Sequence, residues 1–202
     1  MSTDLPKTTN CVILDEKNVH SYGELPLGEI GENHVLVKIH SAAINPSDVM
    51  FCKGFYPAEK SRPCVPGFEG SGLVVAVGSS EKSQALNGAN VCFFSSGKDT
   101  KGSWGEYTII ENSSVFPIPQ TLTLQEGACS LVNPLTVEGF IHTSQEKGYT
   151  AIVHTAAASA LGKMLVFACK HAGITLINIV RREEQVEILK SIGAENIINT
   201  GE

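Results

Sequence analysis

The stretch Pro66-Gly67-Phe68-Glu69-Gly70-Ser71-Gly72, followed by the apolar run Leu73-Val74-Val75-Ala76-Val77-Gly78, carries the most information about the fold. A continuous apolar run that follows a glycine-rich turn is typical of a buried strand. Phe68 stands inside the turn, and its phenyl ring has no lone pair to give to a metal ion. The stretch therefore predicts a buried strand, entered through a turn that has no metal ligand at Phe68.

The first two-thirds of the chain contains short strands separated by glycine, proline and polar residues. This spacing predicts a small barrel or sandwich. The predicted strands are residues 12–15, 35–40, 73–77, 91–94, 107–110 and 115–118. Residues 124–129 and 136–144 are predicted helices, and the polar stretch 79–87 is interpreted as a solvated loop.

From Tyr149 onward, predicted strands alternate with predicted helices. The strands are residues 151–154, 176–180 and 196–199, and the helices are residues 161–171 and 183–192. Gly173 and Gly193 follow the two helices, as C-terminal caps do. This order is the first half of a doubly wound dinucleotide-binding sheet. The sequence stops at Glu202, as if truncated at its C-terminus, so we expect an open sheet edge that a second copy, a partner chain or further sequence completes.

Six motifs, in order, resemble landmarks of the medium-chain dehydrogenase/reductase superfamily. They are residues 45–48 (Asn-Pro-Ser-Asp), 54–57 (Gly-Phe-Tyr-Pro), 66–78, 102–107, 133–136 (Asn-Pro-Leu-Thr) and 151–199. The resemblance implies an α/β protein with a GroES-like β-barrel domain over residues 1–120 and connecting helices over residues 121–148. Residues 149–202 would then form the first half of a Rossmann doubly wound parallel sheet.

The resemblance points to the zinc-free branch of that superfamily. Zinc alcohol dehydrogenases have a ligand histidine where this chain has Phe68, and a ligand cysteine followed by histidine in the place of residues 44–48. The six cysteines of the chain form no Cys-x-x-Cys pair, and none has a histidine at ligand spacing. We therefore predict no metal, as in enoyl-thioester reductases and quinone oxidoreductases.

Residues 156–162, Ala-Ala-Ala-Ser-Ala-Leu-Gly, stand where a strand–turn–helix unit would bind a pyrophosphate. Small residues let the backbone approach the phosphates, and the helix start supplies free amides. Only the last glycine of the usual pattern remains, so an ordinary alanine-rich helix start is the alternative. The spacing resembles the Ala-x-x-Ser-Gly-Val-Gly form of the enoyl-thioester reductases, which implies cofactor contacts from Ser159, Ala160, Leu161 and Gly162.

Arg181 and Arg182 follow the second predicted strand of this half-sheet, and no acidic residue stands at its end. An acid there holds the ribose hydroxyls of NAD, whereas an arginine binds the additional phosphate of NADP. A solvated basic cap on the next helix is the alternative, although cations are disfavoured at a helix N-terminus. The predicted cofactor is NADP(H).

Three more residues are candidates by resemblance. Tyr56 falls where the enoyl reductases have a tyrosine near the substrate, and a phenol can give a proton to an enolate carbon; packing beside Pro57 is its alternative role. Asn45 would orient the nicotinamide amide or the substrate carbonyl, or else form an Asx-type turn. Thr136 resembles a threonine that contacts the nicotinamide, or it is the N-cap of a helix.

The leading hypothesis is NADPH-dependent, metal-free reduction of an activated C=C bond in an enoyl thioester, and quinone reduction is the alternative. A non-catalytic structural or assembly subunit is the alternative from another class. The net charge of −6 over 202 residues gives no electrostatic case for binding nucleic acid or an anionic membrane. No apolar run reaches the ~20 residues of a membrane helix, and residues 1–10 show no targeting pattern. A cytoplasmic protein with a small-molecule substrate is expected.

Overall fold

The computed structural model describes residues 5–57, 60–95 and 101–201, and the chain divides into two units. The first unit ends at Leu131 and the second begins at Val132. Each unit contains a buried apolar core of its own among the described residues.

The first unit is an antiparallel β domain. Its strands are β1 (Thr8–Leu14), β2 (His20–Pro26), β3 (His34–Ala42), β4 (Glu69–Val77), β5 (Asn90–Phe94), β6 (Tyr107–Glu111) and β7 (Val115–Pro117). β1 pairs with β2, and the other five strands form one sheet in the order β6-β3-β4-β5-β7. Val35, Val37, Val74, Phe93 and Ile110 form much of its core. All six predicted strands are confirmed, including the run that follows the glycine-rich turn.

β2 was not predicted from the sequence. Its residues, His-Ser-Tyr-Gly-Glu-Leu-Pro, are mostly exposed, and the side chain of Tyr22 is 76% exposed. This strand shows no apolar alternation because it is defined by backbone pairing with β1 rather than by burial of its own side chains.

Three short α-helices and one 3-10 helix complete the first unit. They are α1 (Pro46–Cys52), α2 (Glu81–Ala85), α3 (Leu124–Gly127) and the 3-10 helix Asn112–Ser114. The interpretation of residues 79–87 as a solvated loop was wrong, because α2 lies there and both Ser83 and Leu86 are buried. The Ser83 hydroxyl donates to the Glu32 carbonyl oxygen at 3.2 Å, which explains how a polar stretch is held against the domain.

The second unit contains the predicted alternation of strands and helices. Its elements are α4 (Val132–Lys147), β8 (Ala151–His154), α5 (Ala160–Ala172), β9 (Thr175–Val180), α6 (Glu183–Ser191) and β10 (Asn196–Asn199). The three strands are parallel and lie in the order β10-β9-β8. Gly173, with φ of 69°, follows α5 in the left-handed conformation that favours glycine, as predicted.

α4 begins at Val132, four residues before the predicted start. Thr136 therefore lies inside the helix and is not its N-cap; its hydroxyl donates to the Val132 carbonyl oxygen at 2.7 Å. Pro134 lies in the first turn, where the amides have no acceptor within the helix, so proline is tolerated there. In the sequence, Pro134 therefore indicated the start of α4 better than Thr136 did. In the described parts of the chain, no helix combines the length and apolar character that crossing a membrane requires.

Candidate functional site

Phe68 lies at the centre of an aromatic group in the first unit. Its side chain is 3% exposed. Its ring meets that of Phe51 edge to face, with centroids 5.5 Å apart, and the Tyr56 ring tilts against it at 5.4 Å. We call Phe51, Tyr56, Phe68 and the neighbouring Lys60 the Phe68 cluster. The position that resembles a metal-ligand site is thus filled by packed hydrocarbon.

Asp48 joins the start of α1 to the glycine-rich turn. Its side chain is fully buried, and its two oxygens accept from the amides of Asn45, at 2.7 Å, and Phe68, at 2.8 Å. Burial raises the pKa of the Asp48 carboxyl, while these two hydrogen bonds act in the opposite direction. Because both oxygens are engaged, Asp48 fixes the backbone around Phe68.

Asn45 and Glu69 form a second buried polar contact at the same turn. Nδ2 of Asn45 donates to Glu69 Oε1 at 2.7 Å, and Glu69 Oε2 accepts from the Leu131 amide at 3.3 Å. Asn45 is also the N-cap residue of α1, so its backbone has the structural role that was the alternative to catalysis. Its side chain is nevertheless held in one orientation by a carboxylate, which suits a group that positions another molecule.

Lys60 is the residue of this site that sequence reasoning missed. It is 8% exposed, its Nζ lies 5.6 Å from the centroid of the Phe68 ring, and it donates to Ser95 Oγ at 3.2 Å. Burial lowers the pKa of Lys60 to about 8. No local pattern signals a buried lysine, since its burial depends on residues distant in the sequence.

The first unit brings two predicted site residues, Asn45 and Tyr56, to the same turn. Tyr56 contacts the Phe68 ring and is 45% exposed, so its phenol is accessible to a substrate. Burial raises the pKa of four thiols, those of Cys11, Cys52, Cys64 and Cys169, which makes these four poor nucleophiles. The catalytic roles of Asn45 and Tyr56 remain predictions.

We expect purified protein to contain well under one zinc atom per chain. Across residues 5–57, 60–95 and 101–201, no three His, Cys, Asp or Glu side chains are grouped as metal ligands, and Phe68 supplies no donor atom. Elemental analysis after dialysis is the measurement. Stoichiometric zinc that survives dialysis would contradict the prediction.

In the second unit, an open groove of about 280 Å³ lies at the C-terminal ends of β8 and β9. Its lining residues are Thr155, Ala156, Ala157, Ala158, Ser159, Ile179, Val180, Arg181 and Gln185. We call it the β8–β9 groove. It lies where parallel sheets of this kind bind ligands, outside the carboxyl ends of the strands.

The start of α5 forms one side of the β8–β9 groove. Ser159 is the N-cap, and its Oγ accepts from the Gly162 amide at 3.1 Å. The amides of Ala160 and Leu161 lie in the first turn, where a helix supplies no acceptor of its own. A Cβ on Gly162 would overlap the Ala157 carbonyl oxygen, so the remaining glycine of the motif is required by close packing. These features suit a bound phosphate, and the close packing explains why position 162 requires glycine.

The structure separates the two arginines. Arg181 lines the groove, whereas Arg182 is the N-cap residue of α6 and is not among the lining residues. Both are exposed. Thr136 lies in α4 and is not a lining residue either. Among the residues predicted to bind cofactor, the groove lining therefore contains Ser159 and Arg181.

Changing Ser159 to alanine should lower the free energy of unfolding of the cofactor-free protein by about 1 kcal/mol, since the N-cap acceptor for the Gly162 amide is lost. Chemical denaturation measures this change. Ser191→Ala is the matched control, because this exposed hydroxyl donates only to the Ile188 carbonyl oxygen at the end of α6. Its effect should stay within about 0.5 kcal/mol. Equal effects of the two changes would refute the capping role.

Comparisons with known proteins connect both units to one group of oxidoreductases. Residues 31–120 match the model of the alcohol dehydrogenase GroES-like domain. A mitochondrial enoyl-[acyl-carrier-protein] reductase of Caenorhabditis elegans is 36% identical over 178 residues, covering 84% of this chain and 50% of its own. A mitochondrial enoyl-[acyl-carrier-protein] reductase of Arabidopsis thaliana is 33% identical, covering 87% and 47%. The chain spans about half the length of these curated relatives.

Solved structures share the fold. A putative NADPH:quinone reductase from Mesorhizobium loti superposes with a TM-score of 0.87 at 32% identity, covering 98% of this chain and 62% of its own. A mycobacterial protein solved in complex with NADPH superposes with a TM-score of 0.78 at 23% identity, which shows the common fold. The fold is thus a GroES-like antiparallel domain followed by a three-stranded parallel sheet with helices, consistent with a partial Rossmann fold.

Proposed function

Because the chain belongs to the medium-chain dehydrogenase/reductase superfamily, we propose that it serves an NADPH-dependent, metal-free reduction of an activated C=C bond, as in an enoyl thioester. The β8–β9 groove is the observation that carries the proposal. There, a capped helix start, a turn of three alanines and an arginine lie side by side. The names of the two enoyl-[acyl-carrier-protein] reductases, at 36% and 33% identity, support the choice of substrate class.

The residues of the groove fit NADP(H). Alanine side chains leave room for the backbone to approach a pyrophosphate, and the amides of Ala160 and Leu161 would donate to it. Arg181 would bind the additional phosphate, with Arg182 adding positive charge nearby. When bound, NADPH supplies the hydride.

The Phe68 cluster would bind the other reactant. Tyr56 would hold a proton for the α-carbon of the substrate, and Asn45, fixed by Glu69 at 2.7 Å, would orient the polar group beside it. The buried aromatic rings would exclude water from the double bond. In this proposal Glu69 and Asp48 position their neighbours and take no part in proton transfer.

Quinone reduction is the second candidate. The 32% identical Mesorhizobium loti protein is a putative NADPH:quinone reductase, and an aromatic-lined site also suits a flat ring. Both substrates accept hydride and develop negative charge on an oxygen, so the two candidates need the same groups from the protein.

The test is the oxidation of NADPH by the purified protein, with crotonyl thioester and with a benzoquinone in parallel. Higher kcat/KM with the thioester supports the proposal, and higher kcat/KM with the quinone favours the second candidate. NADPH binding by titration calorimetry is measured alongside. A protein that neither binds NADPH nor reduces either substrate would support the non-catalytic structural or assembly role instead.

We also propose that a second copy or a partner chain pairs with the parallel sheet. β8 and β10 are the outer strands of the sheet as described, and Val153 and Ile198 on them are 58% and 48% exposed. Light scattering after size-exclusion chromatography is the measurement, and a monodisperse monomer at high concentration would contradict self-association. The cytoplasmic location stays a prediction, whereas the enoyl reductases named above are mitochondrial.

A further inference from the structure

Lys60 is a cationic group buried beside the predicted substrate site with few partners of its own. An ammonium has three N–H donors, and among the described residues Nζ makes one hydrogen bond, to Ser95 Oγ at 3.2 Å. No carboxylate lies within salt-bridge distance of Nζ in the described parts of the chain. Burying a charge with so few partners costs stability, and such a cost is tolerated at functional sites.

The position of the charge is defined by Phe68. The Lys60 Nζ lies 5.6 Å from the centroid of that ring, and Tyr56 packs against the same ring at 5.4 Å. The predicted proton donor and the buried cation therefore both contact the side chain that stands where the resemblance places a metal ligand. In a metal-dependent active site, the cation attracts the oxygen that becomes negative in the transition state.

We propose that Lys60 is a further catalytic residue, whose ammonium group binds the substrate oxygen that becomes negative during reduction. The inference rests on the proposed function and deepens it. Hydride addition to the β-carbon, with NADPH as reductant, moves the π electron pair toward the carbonyl and produces an enolate oxygen. Lys60 donates a hydrogen bond to that oxygen and remains protonated, and a proton from Tyr56 or water then adds to the α-carbon. A quinone would develop the same charge on its oxygen.

Among the described residues, the titratable groups around Lys60 come from two segments, α1 and residues 62–64. Asp48 of α1 and Cys64 favour its protonated form, while burial disfavours it. Arg62, the remaining cation nearby, points its guanidinium at the Phe51 ring at 4.7 Å and at Cys64 Sγ at 3.6 Å. Asp48 is already engaged by two backbone amides. Within the part of the chain that the structure describes, Lys60 therefore has N–H donors beyond the one that contacts Ser95.

The first experiment compares Lys60→Met and Lys60→Arg with a control, Lys53→Met, which removes an exposed lysine after α1. Loss of one donor to a developing oxyanion lowers the rate by about 10²- to 10³-fold. We expect Lys60→Met to reduce kcat/KM by about 10²-fold, Lys60→Arg to retain part of the activity, and Lys53→Met to match the unmutated protein. Full activity in a folded Lys60→Met variant would overturn the proposal.

The pH profile provides a readout that a purely structural role would not move. Activity that needs protonated Lys60 should fall as pH rises through about 8, the pKa set by burial. In Lys60→Met, the residual activity should lack this alkaline limb. The same limb in both proteins would assign it to another group and count against Lys60.

The second experiment needs no turnover, so it separates this inference from the proposed function. Crotonate is the probe, because its carboxylate mimics the enolate oxygen. NMR of the 13C-labelled lysine side chains should show the pKa of Lys60 rising when crotonate binds, and the Kd for crotonate should rise at least about tenfold in Lys60→Met. If the unmutated protein reduces neither substrate but crotonate still raises the Lys60 pKa, the proposed reaction is refuted and the anion-binding role of Lys60 is supported. No crotonate binding, or equal Kd in both proteins, would overturn the site itself.

Discussion

We predict that this protein prefers NADPH to NADH and that Arg181→Ala removes most of that preference. Arg181 lines the β8–β9 groove beside Ser159, and the residue directly after β9 is this arginine rather than an acid that would hold ribose hydroxyls. Loss of a charge-assisted phosphate contact costs about 1.5–3 kcal/mol, or roughly 10- to 150-fold in Kd for NADPH. The Kd for NADH should change little, because NADH lacks that phosphate.

The neighbouring arginine supplies the control. Arg182 is the N-cap residue of α6 and does not line the groove, so Arg182→Ala should weaken NADPH binding less than Arg181→Ala does. Arg181→Lys should retain part of the preference, since an ammonium binds phosphate as a point charge without the bidentate fork. Calorimetric titration of each variant, and of the double Arg181→Ala, Arg182→Ala change, measures these differences. Equal affinity of the unmutated protein for both cofactors would refute the phosphate assignment.

Lys60→Met should raise the free energy of unfolding by about 1–3 kcal/mol near pH 7. The ordinary pKa of a lysine is 10.5, and burial lowers that of Lys60 to about 8. At about 1.36 kcal/mol for each pH unit, folding disfavours the charged amine by about 3 kcal/mol. Loss of the contacts with Ser95 and the Phe68 ring offsets part of the gain.

The pH dependence distinguishes this gain from improved packing. Between about pH 8 and 10.5 the unfolded chain holds the Lys60 proton more tightly than the folded protein does. The free energy of unfolding of the unmutated protein should therefore be lowered by the full amount below pH 8. It should rise as the pH increases from about 8 toward 10.5. Lys60→Met should not show this rise in stability between about pH 8 and 10.5, whereas the control variant Lys53→Met, which replaces an exposed lysine, should show it. Parallel stability curves for Lys60→Met and the unmutated protein across this range would be evidence against the buried charge.

The sequence predicted the second unit well because its signals are local. Apolar runs mark β8 and β9, and Gly173 ends α5 through a backbone conformation that favours glycine. The elements that were not predicted include β2, α2 and α1, and the first two lack apolar runs of this kind. β2 is defined by pairing with β1, and α2 is held by a buried serine within a polar stretch. Asn45-Pro46 followed by Asp48 did contain a readable helix start, with proline at the first position and an acid that binds the N-cap amide.

The candidate site was predictable in residue type and less so in arrangement. Asn45, Tyr56, Ser159 and Arg181 were named from motif position, yet only three-dimensional structure separates Arg181 from Arg182. Lys60 was missed because its burial depends on Phe68 and Ser95. These residues are not neighbours of Lys60 in the sequence and come next to it only in the folded domain. Burial of a single charged side chain is a tertiary property and has no periodicity to detect.

The packing around Phe68 also limits what a single substitution can achieve at this site. A single Phe68→His change would supply one nitrogen ligand, but both oxygens of Asp48 are already engaged and the Lys60 ammonium would repel a divalent ion. Stoichiometric zinc binding by that variant would argue otherwise. Metal binding at this turn would require several simultaneous replacements, so the site lies behind an epistatic barrier that one mutation does not cross.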